Sequence, residues 1–218
     1  MNKIYQTQKN RLKIDKESLR IIDQLSYHCW KLYNVGLYSV KQYYESSGRY
    51  LQYTDNYHVC KNSEHYKCLL TDCGQQILRI IDRNMKSFFA LLKLKNKGKY
   101  SEPVNLPHYK HEKSIIVIQG RSVRVKNGYV FIGLSSSFKK KYNPKIKKLK
   151  FKLPKNIKTD DIKEIRIIPK FGGRYYDIEF IYAKEYTPLD INKNNSLGID
   201  LGVNNFASCF SYSDYSPE

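Results

Sequence analysis

Asp200 has the setting that most invites chemistry. It lies in LGIDLGVNNF, residues 197 to 206, where an apolar run carries one carboxylate between Gly198 and Gly202 and then meets Asn204 and Asn205. A strand with an acid in its middle can bring a hard oxygen ligand to a divalent cation such as magnesium. Gly202 keeps a side chain from crowding a phosphate path, and FASCFSYS, 206 to 213, continues as a paired second strand. One carboxylate does not make a metal site, because two-metal hydrolysis needs several ligands to place the ions on the attacking and leaving oxygens. The acids that follow Asp200 are Asp214 and Glu218 alone.

The cations are the second chemical signal. Lys and Arg number 39 against 20 Asp and Glu, a formal charge of +19. A surface that basic attracts polyanions and releases their counterions on binding. Nucleic acid is therefore the expected partner. Ten lysines and no acid lie between Phe138 and Thr159, among them Lys139, Lys140, Lys141, Lys147, Lys148 and Lys150. Such a run can line a solvated edge and guard it from mispairing. Here Tyr142 and Phe151 interleave with the lysines, which adds stacking surface to phosphate-neutralising charge, as single strands and RNA require.

Other chemistries are disfavoured. The five cysteines, at 29, 60, 68, 73 and 209, form no C-x-x-C pair, so no zinc ribbon can be read from them. His58, Cys60, His65, Cys68 and Cys73 cluster, but at irregular spacings that suit packed thiols in a reducing compartment better than a metal. No stretch approaches the length of a membrane span, and the N-terminus lacks the apolar core of a signal peptide. The expectation is a cytoplasmic protein with no membrane partner.

Hydrophobic spacing supplies the elements that must carry these groups. KIYQTQKNRLKI, 3 to 14, alternates as a first strand. Asp15 caps a long helix whose apolar stripe is Leu19, Ile22, Leu25, Cys29, Leu32, Tyr33, Gly36, Leu37 and Val40, ending near Gly48. A shorter helix covers Tyr53 to Lys67, with Thr54 or Asp55 at its start. A stronger one covers 71 to 98, with Ile77, Ile80, Ile81, Met85, Phe88, Phe89 and Leu92 inward. Arg79, Arg83 and Lys86 lie off that stripe, on a face that is either solvated or turned to phosphate. After Gly98 alternation replaces the helical period, in SIIVIQG, RSVRVKNGYVFIGLS, KLKFKLPK and IKEIRIIPKFGGRYYDIEFIYAKEY. Asn127-Gly128 and Gly172-Gly173 mark hairpin turns. TPLDINKNN, 187 to 195, reads as a polar linker.

Taken in order, these pieces resemble a known family. LGIDLGVNNFAS is similar to the first RuvC motif of the OrfB/TnpB proteins of insertion sequences, relatives of type V CRISPR effectors. WKLYNVGLYSVKQYYESSG and QQILRIIDRNMKSFFALLKLKNKGK resemble the family's two long helices, NLPHYK its P-x-y/f-k element, and IKEIRIIPKFGGRYYDIEFIY the hairpin before its nuclease domain. The resemblance covers nearly all 218 residues. It implies an RNA-guided DNA endonuclease of transposons, in which base pairing with a guide supplies target specificity. The implied fold class is α+β. A small antiparallel, wedge-like β-barrel (1–15 and 99–186) carries an inserted helical bundle (16–98), and the first strands of an incomplete RNase H-like (RuvC) domain follow from 196 to 218. The implied partners are a guide RNA from the transposon end and double-stranded target DNA. Asp200 matches the first catalytic carboxylate and a magnesium ligand, and Gln76, Arg79, Arg83 and Lys86 lie on the helix expected to meet DNA.

The departures shape the functional expectation. The family pattern needs a Glu on a later strand, then a four-cysteine zinc ribbon, then a third Asp, and 201 to 218 offer only Asp214, Glu218 and the single Cys209. The polypeptide alone is expected to bind guide RNA and DNA, to hold no metal stably and not to cleave. A nuclease-dead regulator that has kept RNA-guided binding is the alternative from another class. An actin-like ATPase fragment is a remote one, because GIDLG also opens that fold, but with hydroxyl-bearing turns that Gly202-Val203-Asn204-Asn205 lacks.

Overall fold

Helix α1, Lys16–Ser47, begins and ends where its caps dictate. Asp15 accepts from the backbone N–H of Ser18 at 2.8 Å, which satisfies a donor the first turn leaves free. Gly48, at φ 65°, closes the helix with its N–H on the Tyr44 carbonyl. The computed structural model describes residues 2–187, 195–203 and 205–212. The expected stripe is buried except Leu19, which is half-buried, and Ile21, Ser26 and His28 join it. The buried face widens because α1 is packed by several elements at once.

The single helix expected over 53 to 67 is two, α2 (Tyr53–Cys60) and α3 (Glu64–Cys68). Ser63 breaks it, because its Oγ accepts from the N–H of Tyr66 at 3.3 Å and so caps a new start. Helix α4, Thr71–Asn96, buries Ile77, Leu78, Ile81, Met85 and Phe88. It leaves Arg79, Arg83 and Lys86 exposed and Gln76 half-buried.

Within 2–186 the strands form two antiparallel sheets and do not close into the expected small barrel. One has the order β1 (Asn2–Arg11), β7 (Tyr175–Tyr186), β6 (Ile162–Lys170), β2 (Ile116–Gln119). The other has the order β3 (Val123–Lys126), β4 (Tyr129–Gly133), β5 (Lys148–Lys152). Between β2 and β3 the chain makes a 3-10 turn, Gly120–Ser122, instead of carrying one strand from sheet to sheet. At that point the N–H of Gln119 donates to Asp72 of α4 at 2.9 Å, so a helix takes the bond that a further strand would need. The Asn127-Gly128 turn has φ of 50° and 72°, as a two-residue hairpin demands. A short helix, α5 (Ser136–Tyr142), sits between β4 and β5 and was not anticipated.

Buried residues of helices and strands form one hydrophobic cluster, from Ile22 and Ile81 to Ile132, Phe151 and Phe180. Trp30 and Asn34 on α1 both donate to the Lys110 carbonyl, at 2.6 and 2.8 Å, and Asn34 accepts from the Lys110 N–H at 2.9 Å. Those contacts hold the NLPHYK segment against the helix.

Ile4–Lys184 makes one compact unit, and 1–3 with 185–218 make a second. In the second, β8 (Ser196–Asp200) pairs antiparallel with β9 (Ser208–Tyr212). Residues 188–194 of the anticipated linker, and Asp214 and Glu218, lie outside the described residues.

Candidate nucleic-acid interface

The four polar residues assigned to α4 share one groove. Gln76, Arg79, Arg83 and Lys86 succeed one another at three- and four-residue steps, which stacks them along one helix face. That face forms one wall of a cleft of ≈ 770 Å³ whose other wall is Gln119, Gly120, Arg121, Ile162 and Lys163. Gly120 makes the close approach possible, since a Cβ there would lie 2.2 Å from the Ile162 carbonyl oxygen. The tight turn thereby delivers Arg121 into the cleft. Arg121 and Lys163 were not singled out from sequence, because they reach α4 only through the fold.

The cations of the groove are partly preset. The Arg79 guanidinium lies 4.5 Å from the centroid of the Tyr53 ring, which limits its rotamers while leaving its N–H fork free. Lys86 Nζ lies 2.8 Å from Asp82 Oδ2, and the Tyr50 hydroxyl donates to Asp82 Oδ1. Burial pushes the Asp82 carboxyl up, but the bonds from Lys86 and Tyr50 outweigh it and hold the group below its ordinary value. Arg83, Arg121 and Lys163 add charge, and Asp82 is the one acid of the lining.

A second basic surface is the outer face of the three-stranded sheet. Register places Arg124, Phe131 and Lys150 in one cross-strand row and Lys126, Tyr129 and Lys152 in the next, with Lys148 opposite Gly133. Val130, Ile132, Leu149 and Phe151 fill the other face and are buried. The Lys150 ammonium lies 4.0 Å from the Tyr129 ring centroid. A cleft of ≈ 440 Å³ lined by Arg121, Arg124, Phe131 and Lys148 joins this face to the helical groove, and Arg121 belongs to both.

Phe151 and Tyr142, expected to interleave with the lysines, are not the aromatics of this surface. Phe151 is 4% exposed. The Tyr142 hydroxyl is bound to His28 Nε2 at 2.9 Å. Tyr129 and Phe131 of the neighbouring strand take that place, and their alternation with Val130 and Ile132 was the available signal. Lys139, Lys140 and Lys141 lie on α5, and Lys141 is paired with Glu64. That bond from Lys141 pulls the Glu64 carboxyl below its ordinary value. Lys147, Lys148 and Lys150 are exposed in and before β5.

Inside this region His28 is fully buried, with Nδ1 2.9 Å from Nδ1 of His65. Burial first, then the neighbouring His65 and Lys141, lower His28 to about 4. Burial also lowers His65. Cys29 and Cys73 are free thiols 3.7 Å apart in the core.

Asp200 ends β8 opposite Ser208 and is exposed. Among the described residues no group of three or more His, Cys, Asp or Glu could hold a metal ion. The described residues therefore do not fit a magnesium site around Asp200.

No protein-family model matches the chain, and no curated protein does. Among solved structures it is similar to a cryo-EM structure of a Cas12f1–sgRNA–target DNA complex, at 20% identity and a TM-score of 0.39. The alignment covers 98% of this chain and 55% of that one, so the chain spans about half the length of the protein it matches. No helix among the described residues is long and apolar enough to cross a membrane.

Proposed function

We propose that the chain is a TnpB-like, RNA-guided nucleic-acid-binding protein. It takes duplex DNA in the groove between α4 and the Gly120–Ser122 turn and guide RNA along the basic face of β3, β4 and β5. The observation that carries this reading is the groove itself. Arg79 and Arg83 of one element face Arg121 and Lys163 of others across a cleft whose lining holds one acid, Asp82, already engaged by Lys86. Convergent cations from separate elements suit a polyanion that runs between them, and Arg forks match phosphate oxygens in pairs. The order of the resembling motifs supplies the RNA-guided part of the reading, and Asp200 is proposed as the inherited first carboxylate of a nuclease site.

Nucleic-acid binding is the activity proposed for these residues, and among the described ones no group of three or more His, Cys, Asp or Glu gathers around Asp200. A nuclease-dead, RNA-guided regulator is the second reading. The test is retention of structured RNA and of duplex DNA by the purified chain over a salt series. Each phosphate contact contributes close to one unit of salt slope. Tight binding that weakens steeply with salt, and that falls when Arg79, Arg83 and Arg121 are replaced, is the expected result. Weak binding with a flat salt dependence sinks the proposal.

A further inference from the structure

The turn between β6 and β7 carries a feature that the groove and the basic sheet face do not use. Phe171, Gly172 and Gly173 have φ of 49°, 66° and 94°. Glycine adopts that region freely, whereas a phenylalanine there strains its backbone. Burial does not repay the strain, since the ring is 73% exposed. Among the described residues its aromatic neighbour is Tyr175, with centroids 5.4 Å apart and planes tilted by 46°. On Tyr175 the Arg11 guanidinium lies 3.5 Å from the ring centroid.

The ring is displayed from a fixed base. The Tyr176 hydroxyl donates to Asp23 Oδ1 at 2.9 Å, and Lys113 Nζ reaches the same oxygen at 2.5 Å. Gly173 packs so closely there that a Cβ would lie 3.1 Å from each of three atoms on Asp23, Lys113 and Tyr176. Lys170 and Arg174 flank the tip, and the acids near it are engaged, Asp23 by Lys113 and Tyr176 and Asp177 by Lys9 and Arg11 at 3.4 and 3.5 Å. Two aromatic rings and a guanidinium, open at the Phe171 end and surrounded by cations, match a flat π-system joined to phosphate.

We infer that Phe171 is a stacking site for an unpaired base of the bound RNA, with Lys170 and Arg174 on the flanking phosphates. The inference rests on the RNA part of the proposed function. An unpaired RNA base offers the free face that stacking needs, whereas duplex DNA keeps its bases paired and stacked. A hydrophobic ring could instead meet a protein, but the positive charge on both sides of the tip favours nucleic acid.

The test uses the full chain and a short single-stranded RNA carrying one 2-aminopurine, whose fluorescence is quenched on stacking. Phe171→Gly removes the ring and relieves the positive-φ strain, so it stays folded. It is expected to weaken this RNA by about 5- to 150-fold, the span of one base–aromatic stack. The salt slope stays unchanged because no charge is lost. Phe171→Trp is expected to keep both affinity and quenching. If wild type binds the RNA and Phe171→Gly binds it equally well, the stacking site is overturned and a protein contact takes its place. An equal loss on blunt duplex DNA overturns the assignment to an unpaired base. Failure of wild type to bind any RNA would instead bring down the proposed function.

Discussion

The backbone N–H of Gln119 donates to Asp72 Oδ2 across 2.9 Å, tying the last residue of β2 to the first turn of α4. Asp72 Oδ1 also accepts from the N–H of Cys73 at 2.9 Å, and the side chain is buried. Both walls of the basic groove start from this pair of bonds. Asp72→Ala leaves the half-buried Gln119 N–H and the buried Cys73 N–H without their acceptor and is expected to cost about 1–3 kcal/mol, read as a lower denaturant midpoint. Its duplex affinity should fall as well, since the groove loses its anchor. An unchanged midpoint would mean that Gln119 finds another partner.

Gly120→Ala places a methyl group 2.2 Å from the Ile162 carbonyl oxygen. Backbone must move, which is expected to destabilise the fold by about 1–3 kcal/mol and displace Arg121. Arg121→Ala alone should keep stability and lose affinity. Comparing the two variants by denaturation and by duplex binding separates the turn from its side chain.

Arg79, Arg83 and Arg121 are expected to act through phosphate. Each single alanine variant should lower the slope of log affinity against log salt by about one unit and weaken different DNA sequences alike. Tyr53→Leu removes the ring beneath Arg79 and should weaken binding at an unchanged slope. A change in sequence preference would point to base contact instead.

His28 and His65 make the fold sensitive to acid. His28 titrates at about 4 in the folded protein, below its ordinary 6.5, mainly because it is buried. The folded state therefore prefers the neutral ring. Between pH 6.5 and about 4 the unfolded chain binds more protons, so stability is full above that window and falls as pH drops through it. His65, also lowered by burial, steepens the fall. His28→Gln should flatten the dependence of the unfolding midpoint on pH across the window, and an unaltered acid slope would rule the pair out.

Asp200→Asn is expected to leave RNA and duplex affinity unchanged, because the residue is exposed on β8, outside the unit that carries both basic surfaces.

Much of the local structure was legible in the sequence. Asp15 and Gly48 bound α1 because a side-chain acceptor and a left-handed residue satisfy helix ends wherever they occur. Asn127-Gly128 set its hairpin for the same local reason. The signals of α5 are local too, though they sit inside a lysine run: Ser135 accepts from the Phe138 N–H, Phe138 and Tyr142 are four apart, and Asn143 is a residue type that tolerates the left-handed φ of 41° it adopts at the helix end. Of the candidate site, the cationic face of α4 could be read from its period, and the choice between solvent and phosphate could not.

What the sequence by itself determined was the set of elements, their caps and which face of each is apolar, because those depend on residues a few positions apart. Tertiary structure alone decided that the strands of 2–186 divide into two sheets, with β2 at the edge of one and its last N–H on Asp72 of α4. It also decided that Arg121 and Lys163 face Arg79, and that Tyr129 and Phe131, not Phe151, share a surface with the lysines. Such contacts join residues tens of positions apart, where no local spacing records them and the shared core sets the register.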